Sequence, residues 1–392
     1  MTTLKTGVLG IDFENPFILA SAPPTAKIES IDKAFSLGWG GAVFKTITPD
    51  TLEMIEASPR YATWKIGNKI CGFENFELLS HLTVQQWLDG SKYLRQKHPH
   101  KVQIASIMAQ FSKEEWQNLV KTFNNSEVDA FELNFSCPHG MPEKGIGMAI
   151  GTSAEISAMI TAWVKEVSQK PVFVKLSPNV TNIVKIAKAV EQAGADGIAA
   201  INTVQSLIGV DLDTFSPLPE VNGKTTYGGY SGMAIKPIGL RCVAQVRQNT
   251  DLPILGIGGV ANWHDAAEYM TVGADVVQVC TEVMINGYGI IKGLKDGLLQ
   301  YLEKKGFNSP ADIKNKAISH LSAHETLNKQ KQVYPYIDDA LCVKCGKCVM
   351  ICDESEHSAL AIADGHVKVE AKACVGCSLC SHICPKQAIT MR

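Results

Sequence analysis

The stretch CVKCGKCVMIC (342–352) recurs as CVGCSLCSHIC (374–384), so one spacing, C-x2-C-x2-C-x3-C, appears twice within a short segment. Eight of the twelve cysteines lie in these two runs: Cys342, Cys345, Cys348, Cys352, Cys374, Cys377, Cys380 and Cys384. A short loop with this spacing points three thiolates at three corners of one cubane. The fourth cysteine of such a run ligates the other cluster, so the duplicated pattern predicts two [4Fe–4S] clusters. Structural zinc also uses C-x-x-C pairs, but it needs four ligands and leaves the rest of each run without a purpose. A disulfide framework fits poorly, because the remainder of the chain reads as an ordinary enzyme of a reducing compartment.

The cysteine runs occupy only the end of a 392-residue chain, which is long enough for one large domain before a small one. A hydrophobic content of 45% with 32 glycines suits a globular α/β protein rich in tight turns. A net charge of −2, with no basic arm or stripe, argues against nucleic acid as a partner. No N-terminal stretch carries a secretion signal, and no apolar run approaches the roughly 20 residues that span a bilayer. The expected setting is the cytoplasm, where thiolates stay available to iron.

Working back from the cysteines, residues 307–335 are polar, helix-forming and lysine-bearing, and read as a linker between a domain at 1–306 and one at 336–392. Within 1–306, short apolar runs alternate with amphipathic stretches. The runs are Phe17–Ser21, Ala42–Lys45, Val102–Ile107, Ala130–Asn134, Val172–Leu176, Gly197–Ile201, Ile254–Ile257 and Val276–Val279. They are apolar on both faces, as parallel strands buried by helices on one side and a packed interior on the other should be. Helical patterns cover Ser153–Val167, Ile183–Ala193, Ile238–Gln248 and Trp263–Val272. Eight such strands predict an α/β fold of the (β/α)8 TIM-barrel type. An open doubly wound sheet is the competitor, but its usual G-x-G-x-x-G turn after the first strand is missing.

Chemistry in such a barrel gathers at the C-terminal ends of the strands. Those ends carry Ser21, Lys45, Thr46, Asn134, Ser136, Cys137, Lys175, Asn202, Thr203, Gly258, Gly259, Cys280 and Thr281. The Gly258-Gly259 pair follows strand 7, where barrels commonly bind phosphate through backbone N–H groups. Lys45 and Lys175 interrupt apolar runs; each either pairs with a carboxylate such as Glu132 or meets a flavin ring and its side chain. Cys137 directly follows a strand and precedes a glycine-rich segment. A free thiol is mostly protonated at neutral pH and suits a general acid; His139 is a competitor for that role. Cys71 and Cys242 read as buried structural cysteines. Asn75, Asn134 and Asn202 together offer paired donors and acceptors suited to a neutral cyclic imide or amide. A carboxylate substrate calls for arginine, and none falls at a strand end.

The segments ELNFSCPHGM (132–141), VKLSPNVT (174–181) and TTYGGYSG (225–232), with NPFILASAPPT (15–25), GIGGV (256–260) and QVCTEV (278–283), resemble the dihydroorotate/dihydropyrimidine dehydrogenase family of FMN-binding barrels. The C-terminal segment resembles a small α+β bacterial ferredoxin, and barrel plus tail is similar to family members of the NAD-dependent dihydropyrimidine dehydrogenase type. The resemblance implies reversible reduction of uracil or thymine to the 5,6-dihydropyrimidine by hydride transfer from FMN, with Cys137 as the proton donor. It implies Asn75, Asn134, Ser136, Asn202 and Thr203 as substrate contacts. Ser21, Lys45, Thr46, Lys175, Ser231, Gly232, Gly258, Gly259, Cys280 and Thr281 would contact FMN. No second nucleotide-binding region is present, so electrons from NAD(P)H would arrive through a separate FAD-containing subunit (PreT type). Two competing readings are a dihydroorotate dehydrogenase and a non-catalytic electron-transfer subunit. The first cysteine run departs from the usual pattern in ending Cys352-Asp353, where the second ends Cys384-Pro385.

Overall fold

The computed structural model describes residues 2–52, 55–135 and 148–392. It divides into two compact units, Met1–His320 and Leu321–Arg392.

In the first unit eight parallel strands close into a barrel in sequence order. They are β1 (Phe17–Leu19), β2 (Gly41–Val43), β3 (Val102–Ile107), β4 (Ala130–Asn134), β5 (Val172–Leu176), β6 (Gly197–Ala200), β7 (Ile254–Ile257) and β8 (Val276–Val279). The strands are one or two residues shorter than their apolar runs at β1, β2 and β6, so Ser21 and Lys45 sit just past the last ladder position. The helices α1 (Ile28–Leu37), α2 (Val84–Lys97), α3 (Lys113–Asn124), α4 (Ala154–Lys165), α5 (Ile183–Gln192), α6 (Lys236–Arg247), α7 (Trp263–Thr271) and α8 (Ile291–Lys305) follow the strands in turn. Side-chain caps start most of them: Thr83, Ser112, Ser153, Asn182 and Asn262 each accept a backbone N–H of the first turn.

The strands bury both faces, and the two faces differ. Outward residues such as Phe17, Phe131, Val174 and Val277 pack under the helices with Trp87, Trp116 and Tyr269. Inward residues form a second, smaller core of Ile18, Val43, Ile104, Phe173, Leu255 and Val276. Val8 and Phe13, from an N-terminal hairpin (Thr6–Val8 with Ile11–Phe13), join that inner core and plug its lower end. One pleat higher the inward positions turn polar, as period-2 alternation requires: Ser106 on β3, Glu132 on β4, Lys175 on β5 and Gln278 on β8. The apolar layer therefore serves as the floor for a polar one.

A four-stranded antiparallel sheet is added at the polar end, ordered Val204–Ser206, Gly228–Ser231, Lys69–Asn75 and Tyr61–Ile66. Its edge hairpin, Tyr61–Ile66 with Lys69–Asn75, turns at Gly67-Asn68, where Gly67 takes φ 58° as the first turn residue.

The stretch expected as a helix-forming linker forms only three short 3-10 turns, Pro310–Asp312, Ile318–His320 and His324–Thr326. Its first half packs on the barrel unit: Ala317 N–H donates to Thr271 O at 3.0 Å, and Lys314 pairs with Asp275. Gly306 takes the left-handed cap that ends α8, and Pro310 opens the first of the 3-10 turns behind the cap residue Ser309.

The second unit is α+β. A strand pair (Pro335–Ile337 with Ile389–Met391) joins its ends, a hairpin (Leu360–Ala363 with His366–Val369) lies between, and helices cover Lys347–Glu354 and Leu379–Ile383. Among the described residues no helix is long and apolar enough to cross a membrane.

Candidate functional site

A cavity of about 600 Å³ is lined by residues that follow the barrel strands and by the added sheet. Fourteen of the expected site residues line it: Ser21, Lys45, Thr46, Asn75, Asn134, Lys175, Asn202, Thr203, Ser231, Gly232, Gly258, Gly259, Cys280 and Thr281. The expected proton donor Cys137 and the expected contact Ser136 lie outside the described residues, as does His139.

Hydrogen bonds link the lining residues across strands. Ser21 Oγ and Thr46 Oγ1 are 3.1 Å apart, and Thr46 Oγ1 is 3.0 Å from Ser106 Oγ. Asn134 Nδ2 donates to Thr46 Oγ1 at 2.9 Å, and Asn202 Nδ2 donates to Asn134 Oδ1 at 3.2 Å. Thr203 N–H then donates to Asn202 Oδ1 at 2.9 Å. Both amides are therefore fixed in orientation by residues from several strands. Asn75 is held separately, donating to Gly229 O at 3.1 Å and accepting the Glu77 N–H at 3.2 Å.

Each of the two buried cavity lysines has a carboxylate partner. Lys175 Nζ lies 3.3 Å from Glu132 Oε1, beneath the cavity, and Gln278 Nε2 donates to Glu132 Oε2 at 2.7 Å. Lys45 Nζ lies 3.2 Å from Glu77 Oε1, whose other oxygen receives Arg60 Nε at 2.5 Å. Both lysines are thus ion-paired and cavity-lining at once; pairing is what makes their burial tolerable. Burial works against the Glu77 carboxylate, but Lys45 and Arg60 outweigh it and hold its pKa below the usual carboxylate range. Tyr61, on the same cavity wall, has its phenol pushed well up by burial and by Glu77, so it remains a donor. Burial also pushes the Cys280 thiol up to about 11, with Lys175 and Lys45 opposing, so it stays protonated at neutral pH.

Sequence reasoning missed several cavity residues: Tyr61, Lys69, Ile70, Cys71, Phe73 and Glu77, all from or beside the hairpin. Cys71 is buried as expected, yet it faces this cavity. Arg60, although not at a strand end, reaches the wall through Glu77. A Gly-Asn pair between two alternating runs was the available signal for the hairpin.

Among the described residues, two buried polar atoms of the lining have no hydrogen-bond partner: Thr203 Oγ1 and Gln278 Oε1. Buried polar groups are ordinarily paired, so these two atoms are available to polar atoms of a bound molecule. At the end of β7, Gly259 takes φ 69°, and a Cβ there would stand 2.7 Å from Lys236 N and 2.8 Å from Gly232 O. Among the described residues, the N–H groups of Gly259 and Val260 have no acceptor. The donor set therefore fits a ring with polar edges joined to an anionic group.

In the second unit the cysteines gather in two nests. One is lined by Cys342, Cys345, Cys348 and Cys384, the other by Cys352, Cys374, Cys377 and Cys380. The fourth cysteine of each run thus sits with the first three of the other. Each crossing sulfur accepts a backbone N–H at 3.3 Å, Cys352 from Ala359 and Cys384 from Ala388. The eleven described cysteines are free thiols. Four sulfurs per nest, held on short loops, suit one cubane each.

Comparison with known proteins agrees with both halves. The dihydroorotate dehydrogenase family model matches residues 3–302, and the 4Fe-4S dicluster domain model matches residues 335–391. The chain is 38% identical over 391 residues to the NAD-dependent dihydropyrimidine dehydrogenase subunit PreA of Escherichia coli (strain K12), covering 97% of this chain and 93% of that one. It is 35% identical over 341 residues to the chloroplastic dihydropyrimidine dehydrogenase (NADP(+)) of Arabidopsis thaliana, covering 84% and 80%. The catalytic subunit of dihydroorotate dehydrogenase B (NAD(+)) from Pyrococcus furiosus is 36% identical over 311 residues, covering 79% of this chain and 97% of that one.

Proposed function

The chain belongs to the dihydroorotate dehydrogenase family of oxidoreductases, and from that premise we propose that it interconverts uracil or thymine with the 5,6-dihydropyrimidine. The observation that carries this reading is the fixed amide chain Asn134–Asn202–Thr203, which meets Asn75 in one cavity. Oriented amides recognise a ring of alternating C=O and N–H groups without adding charge. The reading is supported by the Escherichia coli relative, which matches over 97% of this chain and is named a dihydropyrimidine dehydrogenase subunit.

Flavin mononucleotide is the cofactor implied by the family, and when bound it supplies the hydride chemistry of the reaction. Gly258, Gly259, Ser231 and Gly232 would hold its phosphate end, and Lys45, Thr46, Lys175, Ser21, Cys280 and Thr281 its ring and side chain. Gln278 Oε1, unpaired among the described residues, belongs to that lining and adds an acceptor. The amides fix the pyrimidine so that one ring carbon can receive a proton from this chain. Cys137, two residues beyond Phe135 in the sequence, is assigned that proton transfer. A thiol with its proton in place at neutral pH can give it to carbon and be restored by solvent. Asn134 and Asn202, each tied to a neighbouring strand, spare the site the entropy of orienting them at the moment of reaction.

Two [4Fe–4S] clusters in the cysteine nests would carry electrons to or from a separate FAD-containing subunit that handles NAD(P)H. A partner is suggested by the name of the Escherichia coli relative, which is a subunit. Dihydroorotate oxidation is a second reading, favoured by the Pyrococcus furiosus relative, whose match covers 79% of this chain. A decisive assay supplies the purified full chain with uracil and either reduced methyl viologen or NADH alone. Dihydrouracil should form with the viologen and not with NADH. Turnover with NADH alone, or none with the viologen, would contradict the proposal.

A further inference from the structure

A pyrimidine site and a site for a carboxylate-bearing pyrimidine differ by one charge. The cavity contains the means of telling the two apart. Lys45 and Lys175 are the buried cations available to an anionic substituent, at 6% and 4% exposure, and each is already paired with a protein carboxylate. The two carboxylates are placed differently. Glu132 is fully buried below the cavity, whereas Glu77 belongs to the cavity wall.

Glu77 is held there by three groups. Lys45 and Arg60 take one oxygen each, and its backbone N–H is fixed by the Asn75 side chain. Arg60 is itself shared with Glu56 at 2.8 Å, so it cannot swing toward a ligand without breaking two ion pairs. The fixed Asn75 amide ties this carboxylate to the same wall that would contact the ring. A second carboxylate brought into the cavity shares it with an ionised one, in a partly desolvated setting where like charges repel strongly. Among the described residues, Lys45 and Arg60, the cations beside Glu77, are already paired, and the unburied cavity lysine, Lys69, is exposed on the hairpin.

We propose that Glu77 is a specificity residue: its carboxylate occupies Lys45 and Arg60 and so restricts the site to uncharged pyrimidines, excluding those with a ring carboxylate. The inference rests on the pyrimidine reading above and names the wall residue that sets its substrate class. Discrimination of this kind works by building an unfavourable charge against the wrong ligand as well as favourable contacts to the right one. The role is one of selection. Glu77 moves no proton in the reaction.

The test is equilibrium binding to the oxidised, flavin-loaded full chain, read as perturbation of the flavin absorbance without turnover. Three probes are used: uracil, orotate, and the neutral 6-carboxamide of uracil, which matches orotate in shape. The native chain should bind uracil and the carboxamide at least tenfold more tightly than orotate. Glu77→Gln, at matched flavin content, should gain at least tenfold for orotate, while Glu77→Asp should keep rejecting it. Native binding of orotate as tight as uracil overturns the proposal. So does equal rejection of orotate and the carboxamide, which would make shape the discriminator, or a Glu77→Gln chain still blind to orotate. If the Gln variant fails to fold, the native comparison of orotate with its carboxamide still decides. Failure of the native chain to bind uracil is a separate result: it removes the pyrimidine reading itself.

Discussion

Cys137 and Glu77 are the two residues on which the chemical account turns, and they were not equally visible. Cys137 announces itself in the sequence, a thiol directly after a strand and before a run of glycines. Glu77 carries no such mark, since its partners Lys45 and Arg60 are brought to it only by the fold. The ion pairing of Lys45 and Lys175 shows why residue type alone left two readings open: a cation inside an apolar run must have a partner, and here it has one while still facing the cavity. Replacing Cys137 with alanine should preserve flavin and iron content yet lower turnover by roughly a hundredfold or more, the usual cost of losing a general acid. Steady-state rates on variant protein of matched flavin content check this. Glu77 also has a pH signature. Its pKa is depressed in the fold, so its ion pairs contribute stability above the ordinary carboxylate value of 4.5, and that contribution is lost as pH falls through the lower folded value. Acid unfolding of the native chain should therefore be steeper below about pH 4.5 than that of Glu77→Gln, followed by circular dichroism.

At the scale of elements, the barrel strands were legible because parallel strands buried on both faces read as short apolar runs, with no competing helical period in Val102–Ile107 or Val172–Leu176. Four of the eight outer helices, Ala154–Lys165, Ile183–Gln192, Lys236–Arg247 and Trp263–Thr271, were legible from their apolar stripes, within one or two residues at each end. What the sequence concealed was the added sheet. Tyr61–Ile66 has four consecutive exposed residues and Gly228–Ser231 opens on two glycines, so neither resembles a buried strand. The linker was misread for the converse reason. Helix-forming residues there lack an apolar face to bury, and propensity without packing does not sustain a helix. The β7 turn gives an element-scale prediction. Alanine at Gly259 must adopt φ 69° and place its Cβ 2.7 Å from Lys236 N. A left-handed non-glycine residue costs about 1–2 kcal/mol before any clash. Gly259→Ala should lower the melting temperature and lose flavin on gel filtration, whereas an unchanged flavin ratio would remove this turn from the cofactor site.

For the whole molecule, the cysteine runs and the barrel mouth describe one task divided between two units. One unit holds eight thiols in two nests, and the other holds oriented amides and paired charges around a single cavity. The duplicated spacing alone was enough to anticipate two clusters, because ligand geometry constrains spacing more tightly than fold constrains composition. The most direct measurement is anaerobic photoreduction of the purified full chain, followed by addition of uracil while the flavin absorbance is recorded. The account predicts prompt reoxidation of the flavin with dihydrouracil as product. A flavin that stays reduced with uracil but reoxidises with orotate would contradict it.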